Sequence, residues 1–356
     1  MKILTVVGAR PQFIKAASVS AKLRATKMLS EVIVHTGQHY DEAMSGVFFG
    51  ELGIPAPDYN LGVGGGSHGQ NTGRMIEGIE QVIFEERPDW LLVYGDTDST
   101  LAGAIAACKL DIPIAHVEAG LRSFNRKMPE EMNRILTDHA STHLFAPTQA
   151  AIDQLVKEGI SGEKVSFSGD VMFDTALHFG GLAKEKSPIL SVLGMNGKDY
   201  VLATIHRKEN TDDVDRLSAI MDGLSRLSCP VILPVHPRTK KKLDDFQIRV
   251  PSNVVVTEPV GYLDMVRLEQ GAQVIATDSG GVQKEAFFHG VPCVTLRDET
   301  EWMELVTIGA NRLAGADADR IHELIESAIG GVVPQVNLYG TGNASKLIAS
   351  FFERLV

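Results

Sequence analysis

Short β-branched runs recur along this chain with longer helical patterns between them, and that alternation restricts it to parallel βα units. Runs at residues 3–7, 32–35, 90–94, 114–116, 144–146 and 165–168 predict strands, with helices such as 70–84 and 99–109 between them. A less hydrophobic stretch around 182–198 is followed by a second series at 200–204, 231–235, 253–257, 274–277 and 293–296. The expected fold class is α/β, with two Rossmann-like, doubly wound parallel-sheet domains facing a cleft. The expected division is 1–172 for the first domain and 173–342 for the second, with the break between 173 and 198. Residues 343–356 form a last helix. Its apolar stripe (Leu347, Ile348, Phe351, Phe352, Leu355, Val356) needs a surface to cover, which either domain could supply, the N-terminal one included.

A length of 356 residues, 44% hydrophobic and 22% charged, is enough for two such cores without disulfides or metals. The net charge of −11 argues against a broad nucleic-acid surface, though a local phosphate site needs no positive whole. Cys108, Cys229 and Cys293 are far apart with no CxxC pair, and are expected to be buried or inert thiols in a reducing compartment. No apolar run approaches the ~20 residues of a membrane span, and residues 1–7 read as a strand and not as a signal peptide. A cytoplasmic location is expected.

The candidate chemistry falls at strand ends, where backbone amides point outward and nucleotides bind. Gly8-Ala9-Arg10-Pro11-Gln12-Phe13-Ile14-Lys15 follows the first strand; Gly8 permits a sharp turn, and Arg10 and Lys15 stand where a phosphate would meet a helix N-terminus. Solvated basic residues in a plain βα turn are the alternative. In Gly95-Asp96-Thr97-Asp98-Ser99, an Asp-x-Asp pair suits either a metal or a helix cap; Asp98 is assigned to capping and Asp96 to the cleft.

Glu118, in His116-Val117-Glu118-Ala119-Gly120, is a carboxylate in a turn of small residues. Glu130 and Glu131 follow Pro129 at a helix start, where acidic residues also simply suit the dipole. Three converging carboxylates would allow one to act as base while another is kept protonated. His206, beside Arg207, can hydrogen-bond or protonate a departing phosphate, and His236 occupies the matching end of the next strand. Ser279-Gly280-Gly281 opens a helix as an anion site, with Glu285 one turn further in to accept ribose hydroxyls. No HExxH, Cys–His cluster or EF-hand loop is present, so neither metal nor cofactor is expected.

Taken together, GARPQFIK, GDTDST, HVEAGLRS, MPEEMNR, HRKEN, VHPR, EPVGYL and TDSGGVQKEA, over nearly the whole chain, resemble the non-hydrolysing UDP-N-acetylglucosamine 2-epimerase family. That resemblance implies the two-domain fold of type B glycosyltransferases, with a UDP-sugar and UDP as ligands and a homodimeric assembly. Asp96, Glu118 and Glu130 match the family's proton-transfer carboxylates, and His206 its histidine near the diphosphate. Arg10, Lys15, Ser279, Gly280, Gly281 and Glu285 match UDP-binding positions. The implied reaction removes the proton beside the acetamido group while UDP leaves, then re-adds UDP to a glycal-like alkene after protonation on the opposite face.

Family members acting on UDP-N-acetylglucosamine commonly carry Arg-Pro-Glu where this chain has Trp302-Met303-Glu304, after Arg297-Asp298-Glu299-Thr300-Glu301. The tryptophan resembles the branch acting on UDP-2,3-diacetamido-2,3-dideoxyglucuronate, an O-antigen precursor; filling of vacated volume is the alternative. Some bacterial relatives bind a second UDP-sugar as activator through positions matching Gln38, Arg74, Arg207 and His236, but Asp41 stands where they carry glutamine. The competing readings are a type B glycosyltransferase, a non-catalytic UDP-sugar sensor and a hydrolysing epimerase.

Overall fold

The computed structural model describes residues 1–38 and 56–356, with Arg10 described in its backbone only. Asp41 lies outside the described residues. The chain divides into two compact units, Met1–Thr175 with Asn337–Val356, and Ala176–Val336.

In the first unit the strands are β1 (Lys2–Val7), β2 (Ser30–His35), β3 (Tyr59–Asn60), β4 (Trp90–Tyr94), β5 (Ile114–Val117), β6 (His143–Ala146) and β7 (Val165–Phe167). Among the described residues they form one parallel sheet in the order β3-β2-β1-β4-β5-β6-β7. Its helices include α1 (Arg10–Ala25), α2 (His68–Glu86), α3 (Asp98–Lys109), α4 (Pro129–Ala140), α5 (Gln149–Lys157) and α6 (Val171–Lys186), and the unit boundary falls inside α6. Leu4, Val6, Met75, Ile79, Leu91 and Val93 are among the core residues where α2 and α3 cover the sheet.

The second unit contains β8 (Val201–Thr204), β9 (Val231–Pro234), β10 (Val254–Thr257), β11 (Val274–Thr277), β12 (Cys293–Thr295) and β13 (Asn311–Leu313). They pair in parallel in the order β10-β9-β8-β11-β12-β13. Helices α7 (Ile189–Val192), α8 (Lys208–Thr211), α9 (Val214–Ser225), α10 (Pro237–Asp245), α11 (Tyr262–Gly271), α12 (Gly280–Phe288), α13 (Met303–Thr307) and α14 (Ala318–Glu326) connect them. Val201, Ala203, Leu217, Ile220, Leu233, Ala276, Ile321 and Ile325 belong to one of its cores.

Both sheets are doubly wound, as expected. Strand order reverses between β1 and β4 in the first unit and between β8 and β11 in the second. At such a switch point adjacent crossovers leave in opposite directions, so the loops at the carboxyl ends part and open a binding crevice. The Gly8 and Gly95 loops stand at one switch point, and the His206 and Ser279 loops at the other. Periodicity missed β3 and β13, edge strands of two and three residues that carry almost no β-branched signal.

The last helix, α15 (Ala344–Glu353), belongs to the first unit. Asp174 caps it by accepting the Ala344 and Ser345 amides at 3.0 and 2.8 Å. Phe352 is buried, and Phe351 stacks on His143 at 4.0 Å between ring centres. Leu347, Leu355 and Val356 stay exposed, so the buried stripe is narrower than the sequence pattern. Of the three thiols Cys108 is exposed, Cys229 half-buried and Cys293 buried, and burial pushes the Cys293 thiol up to about 12 and leaves it inert. Among the described residues, no helix is long and apolar enough to cross a membrane.

Candidate active site

The loop after β1 is stapled by the buried amide of Gln12. Its Oε1 accepts the Gly8 and Ala9 N–H groups at 2.8 and 3.0 Å, and its Nε2 donates to the Tyr94 carbonyl at 3.0 Å. Two backbone amides of this turn are therefore already satisfied within the protein. A Cβ at Gly8 would lie 2.0 Å from Thr36 Oγ1 and 2.2 Å from Ser99 Oγ, so close packing demands glycine there. Ser99 in turn donates to Gln38 Oε1 at 2.6 Å, which places Gln38 at the start of α3.

Lys15 is buried on α1, and its ammonium pairs with Glu118 at 2.8 Å. The lysine expected at a phosphate thus stands beside the carboxylate following β5. Glu118 itself has φ 73°, a left-handed conformation that costs a residue with a Cβ roughly 1–2 kcal/mol. Strain of this kind persists where surrounding structure holds a side chain in a fixed direction. The β4–β5 register pairs Tyr94 with Val117, which brings the Gly95-Asp96 turn alongside the Glu118 turn.

Asp96 is half-buried and paired with the Arg134 guanidinium of α4, while its carbonyl accepts Asn133 Nδ2 at 2.9 Å. The cap of α3 is Thr97, whose side chain accepts the Thr100 amide at 3.3 Å, and this corrects the assignment to Asp98. Asp98 lies in the first turn, where its carboxylate meets Asn133 Nδ2 at 3.1 Å and His68 Nδ1 at 2.7 Å. Among the described residues no group of three or more His, Cys, Asp or Glu is gathered to hold a metal ion.

The two neighbouring glutamates of α4 have opposite environments. Glu131 is buried and accepts the Ser123 and Phe124 amides, both at 2.9 Å, together with Arg134 at 3.0 Å. Burial raises its carboxyl, but these donors more than offset that and hold it below the ordinary carboxylate range. It fixes the 123–124 turn. Glu130 is exposed in the first turn of the helix and reaches solvent.

Behind both turns lies a buried pair that sequence reasoning passed over. His116 Nε2 meets the Gly95 carbonyl at 2.8 Å, and its Nδ1 is hydrogen-bonded to Asp138 Oδ1 at 2.7 Å. Asp138 also accepts the Gly120 amide at 3.1 Å and Arg122 at 2.8 Å. Burial opposes the charge on Asp138, but His116 and Arg122 outweigh it and keep the carboxyl below its usual range.

In the second unit, Asp278 organises the site. Fully buried, it accepts the amides of His206 at 3.0 Å and Arg207 at 3.0 Å and Asn210 Nδ2 at 3.1 Å. The His206 ring is exposed, with Nδ1 3.4 Å from Asp278 Oδ1. Ser279 caps α12, and the Gly280 and Gly281 amides that follow begin the helix. Glu285 is buried further along, with Tyr262 Oη donating to it at 3.4 Å.

Trp302 is buried beneath this loop, its Nε1 donating to the Gly280 carbonyl at 2.9 Å and its face 4.2 Å from Lys284 Nζ. It therefore does more than fill volume: it braces the helix start. Arg207 is half-buried at the cap of α8, exposed His236 caps α10 by accepting the Arg238 amide at 3.2 Å, and Arg74 is exposed on α2. The signal for Asp278 lay in the TDSGG motif, whose aspartate follows β11 directly; nothing local marked Asp138.

A family model described as UDP-N-acetylglucosamine 2-epimerase matches residues 21–353. The chain is 54% identical, over the full length of both, to the UDP-2,3-diacetamido-2,3-dideoxy-D-glucuronate 2-epimerase of Pseudomonas aeruginosa. It is 33% identical to the UDP-N-acetylglucosamine 2-epimerase of Escherichia coli, over 98% of this chain and 97% of the relative. Among solved structures it resembles the Methanocaldococcus jannaschii UDP-GlcNAc 2-epimerase in complex with UDP-GlcNAc and UDP. That match has a TM-score of 0.92 and 41% identity, over 99% of this chain and all of the other.

Proposed function

The chain belongs to the UDP-N-acetylglucosamine 2-epimerase family, and from that premise we propose that it inverts carbon 2 of a UDP-linked 2-acetamido sugar by eliminating UDP and adding it back. Enzymes of this kind are isomerases acting on carbohydrates. The observation that carries the mechanism is the placement of Asp96 and Glu118 on turns at adjacent strand ends, the second held in a strained conformation against Lys15.

In the first step a carboxylate takes the C2 proton, and the bond from the anomeric carbon to the β-phosphate oxygen breaks. The electron pair becomes the C1–C2 double bond of a 2-acetamidoglycal, and UDP departs with its own pair. In the return step a second group gives a proton to the opposite face of C2 and the phosphate oxygen adds to C1. No net oxidation occurs. One proton-transfer group per face is required, and Asp96, Glu118 and Glu130 are the groups we assign to this work.

UDP must be held while it is detached, and fixed donors do this best because they need no reorganisation as charge develops. We assign Ser279, Gly280 and Gly281 at the start of α12 to the diphosphate, with Arg10 and Lys15, Glu285 to the ribose, and His206 to the leaving phosphate. The dipole and free amides of a helix start favour an anion.

We take UDP-2,3-diacetamido-2,3-dideoxyglucuronate as the substrate ahead of UDP-N-acetylglucosamine. The 54% identity to the Pseudomonas relative and Trp302 in place of an arginine support that order. The test is incubation with each UDP-sugar alone in deuterated water. The reading requires deuterium at C2 and the manno epimer, without an acceptor, and faster with the diacetamido-glucuronate. Absence of exchange with both sugars would refute it, and sugar transfer only when an acceptor is added would indicate a glycosyltransferase.

A further inference from the structure

The turns that carry Asp96 and Glu118 meet where the Gly95 amide donates to the Val117 carbonyl at 3.0 Å, and a buried pair beneath them reaches both. His116, at the third position of β5, has both ring nitrogens engaged: Nε2 with the Gly95 carbonyl at 2.8 Å, Nδ1 with Asp138 at 2.7 Å. A carbonyl oxygen can only accept. Asp138 uses Oδ1 for the ring and Oδ2 to accept the Gly120 amide and Arg122.

The consequence is geometric. Gly95, with φ 64°, is the residue immediately before Asp96, so its carbonyl belongs to the peptide group that leads into Asp96. Gly120, with φ 83°, closes the turn that holds Glu118. Asp138 lies on α4, the helix that also presents Glu130 and the Arg134 paired with Asp96. One imidazole and one carboxylate, both fully buried, therefore tie together the three elements that carry the assigned proton-transfer groups.

We propose that His116 and Asp138 are a positioning pair for the epimerisation, setting the placement of Asp96 relative to Glu118 through the Gly95 carbonyl and the Gly120 amide. Neither touches the sugar. The proposal rests on the reading that these carboxylates move the C2 proton, and it assigns the pair a task in turnover beyond stability. A displacement on the order of 1 Å in a reacting group costs about a hundredfold in rate.

Two substitutions in the full chain separate the tasks. In His116→Gln the amide nitrogen falls near Nε2 and can still donate to Gly95; in His116→Asn it falls near Nδ1 and serves only Asp138. We expect H116N to lower kcat about a hundredfold, and H116Q to lower it by less than about tenfold, with KM and UDP affinity near wild type in both. Thermal midpoints and UDP binding are measured alongside. Equal kcat values for the two variants, losses that follow the melting temperature, or a change in KM alone would overturn the proposal. So would failure of both variants to fold, since the role would then be structural. Wild-type protein and Glu118→Gln supply the controls. If wild type shows no C2 exchange with either UDP-sugar, the functional reading itself falls. If wild type exchanges, E118Q does not, and H116N exchanges at the wild-type rate, only the positioning role is lost.

Discussion

The ammonium of Lys15 lies 2.8 Å from the carboxylate of Glu118, joining the second turn of α1 to the turn after β5. Both side chains are nearly excluded from solvent, so the pair fixes the direction of the carboxylate as well as its charge environment.

Glu118→Gln keeps the shape and removes one of the carboxylates that we propose move the C2 proton. Turnover should fall about 10² to 10⁴-fold, the usual contribution of a positioned acid or base, while UDP binding measured by calorimetry stays near wild type. Unchanged turnover would remove Glu118 from the mechanism.

Glu130 and Glu131 are neighbours in sequence and should separate cleanly. Glu131→Gln replaces an acceptor of two backbone amides and a guanidinium, and should cost about 2 kcal/mol of stability. Because the folded carboxyl titrates below its ordinary value of 4.5, that stabilisation is present above this pH and disappears as pH falls through the lower folded value. The difference between wild type and E131Q should therefore shrink in acid denaturant titrations. Glu130→Gln, on an exposed side chain, should leave stability alone and reduce C2 exchange.

The helix start at Ser279 allows a test of ligand contact without loss of fold. A Cβ at Gly281 would meet only Ser279 Oγ at 3.9 Å, whereas one at Gly280 would lie 2.2 Å from Glu301 Oε1. Gly281→Ala should keep its melting temperature and weaken UDP binding by about tenfold, on the order of 1.4 kcal/mol. Gly280→Ala should lower both. Wild-type UDP affinity in G281A would place the diphosphate elsewhere.

Acid should loosen the packing beneath α15. Burial lowers the His143 pKa from 6.5 to about 4, so the folded protein keeps this ring neutral while the unfolded chain protonates it. Stability contributed by the neutral ring is complete above pH 6.5 and is lost as pH falls from 6.5 towards 4, by up to about 3 kcal/mol. His143→Phe, which can still stack on Phe351, should flatten that slope in thermal melts across this window. An identical slope in both proteins would exclude His143 as its source.

Alternation of strand and helix patterns was enough to read the two doubly wound sheets, because a strand covered on both faces must be apolar along its length and a covering helix must repeat its apolar residues every turn. The same pattern placed the Gly95-Asp96, Glu118, His206 and Ser279 motifs at strand ends. Local rules failed where two local solutions were equally good. Asp98 and Thr97 are both competent caps, and only the packing of Asn133 and His68 around Asp98 determines which one caps α3. Glu130 and Glu131 are indistinguishable as a helix start until the 123–124 turn folds over one of them. Asp138 stands 22 residues from His116 and carries no local signature, because a buried hydrogen-bonded pair is defined by where β5 and α4 meet in space. Sequence determined which residue types stand at the strand ends; the tertiary structure decided which side chains are spent on holding those ends in place, since burial and long-range hydrogen bonds exist only once the chain has folded.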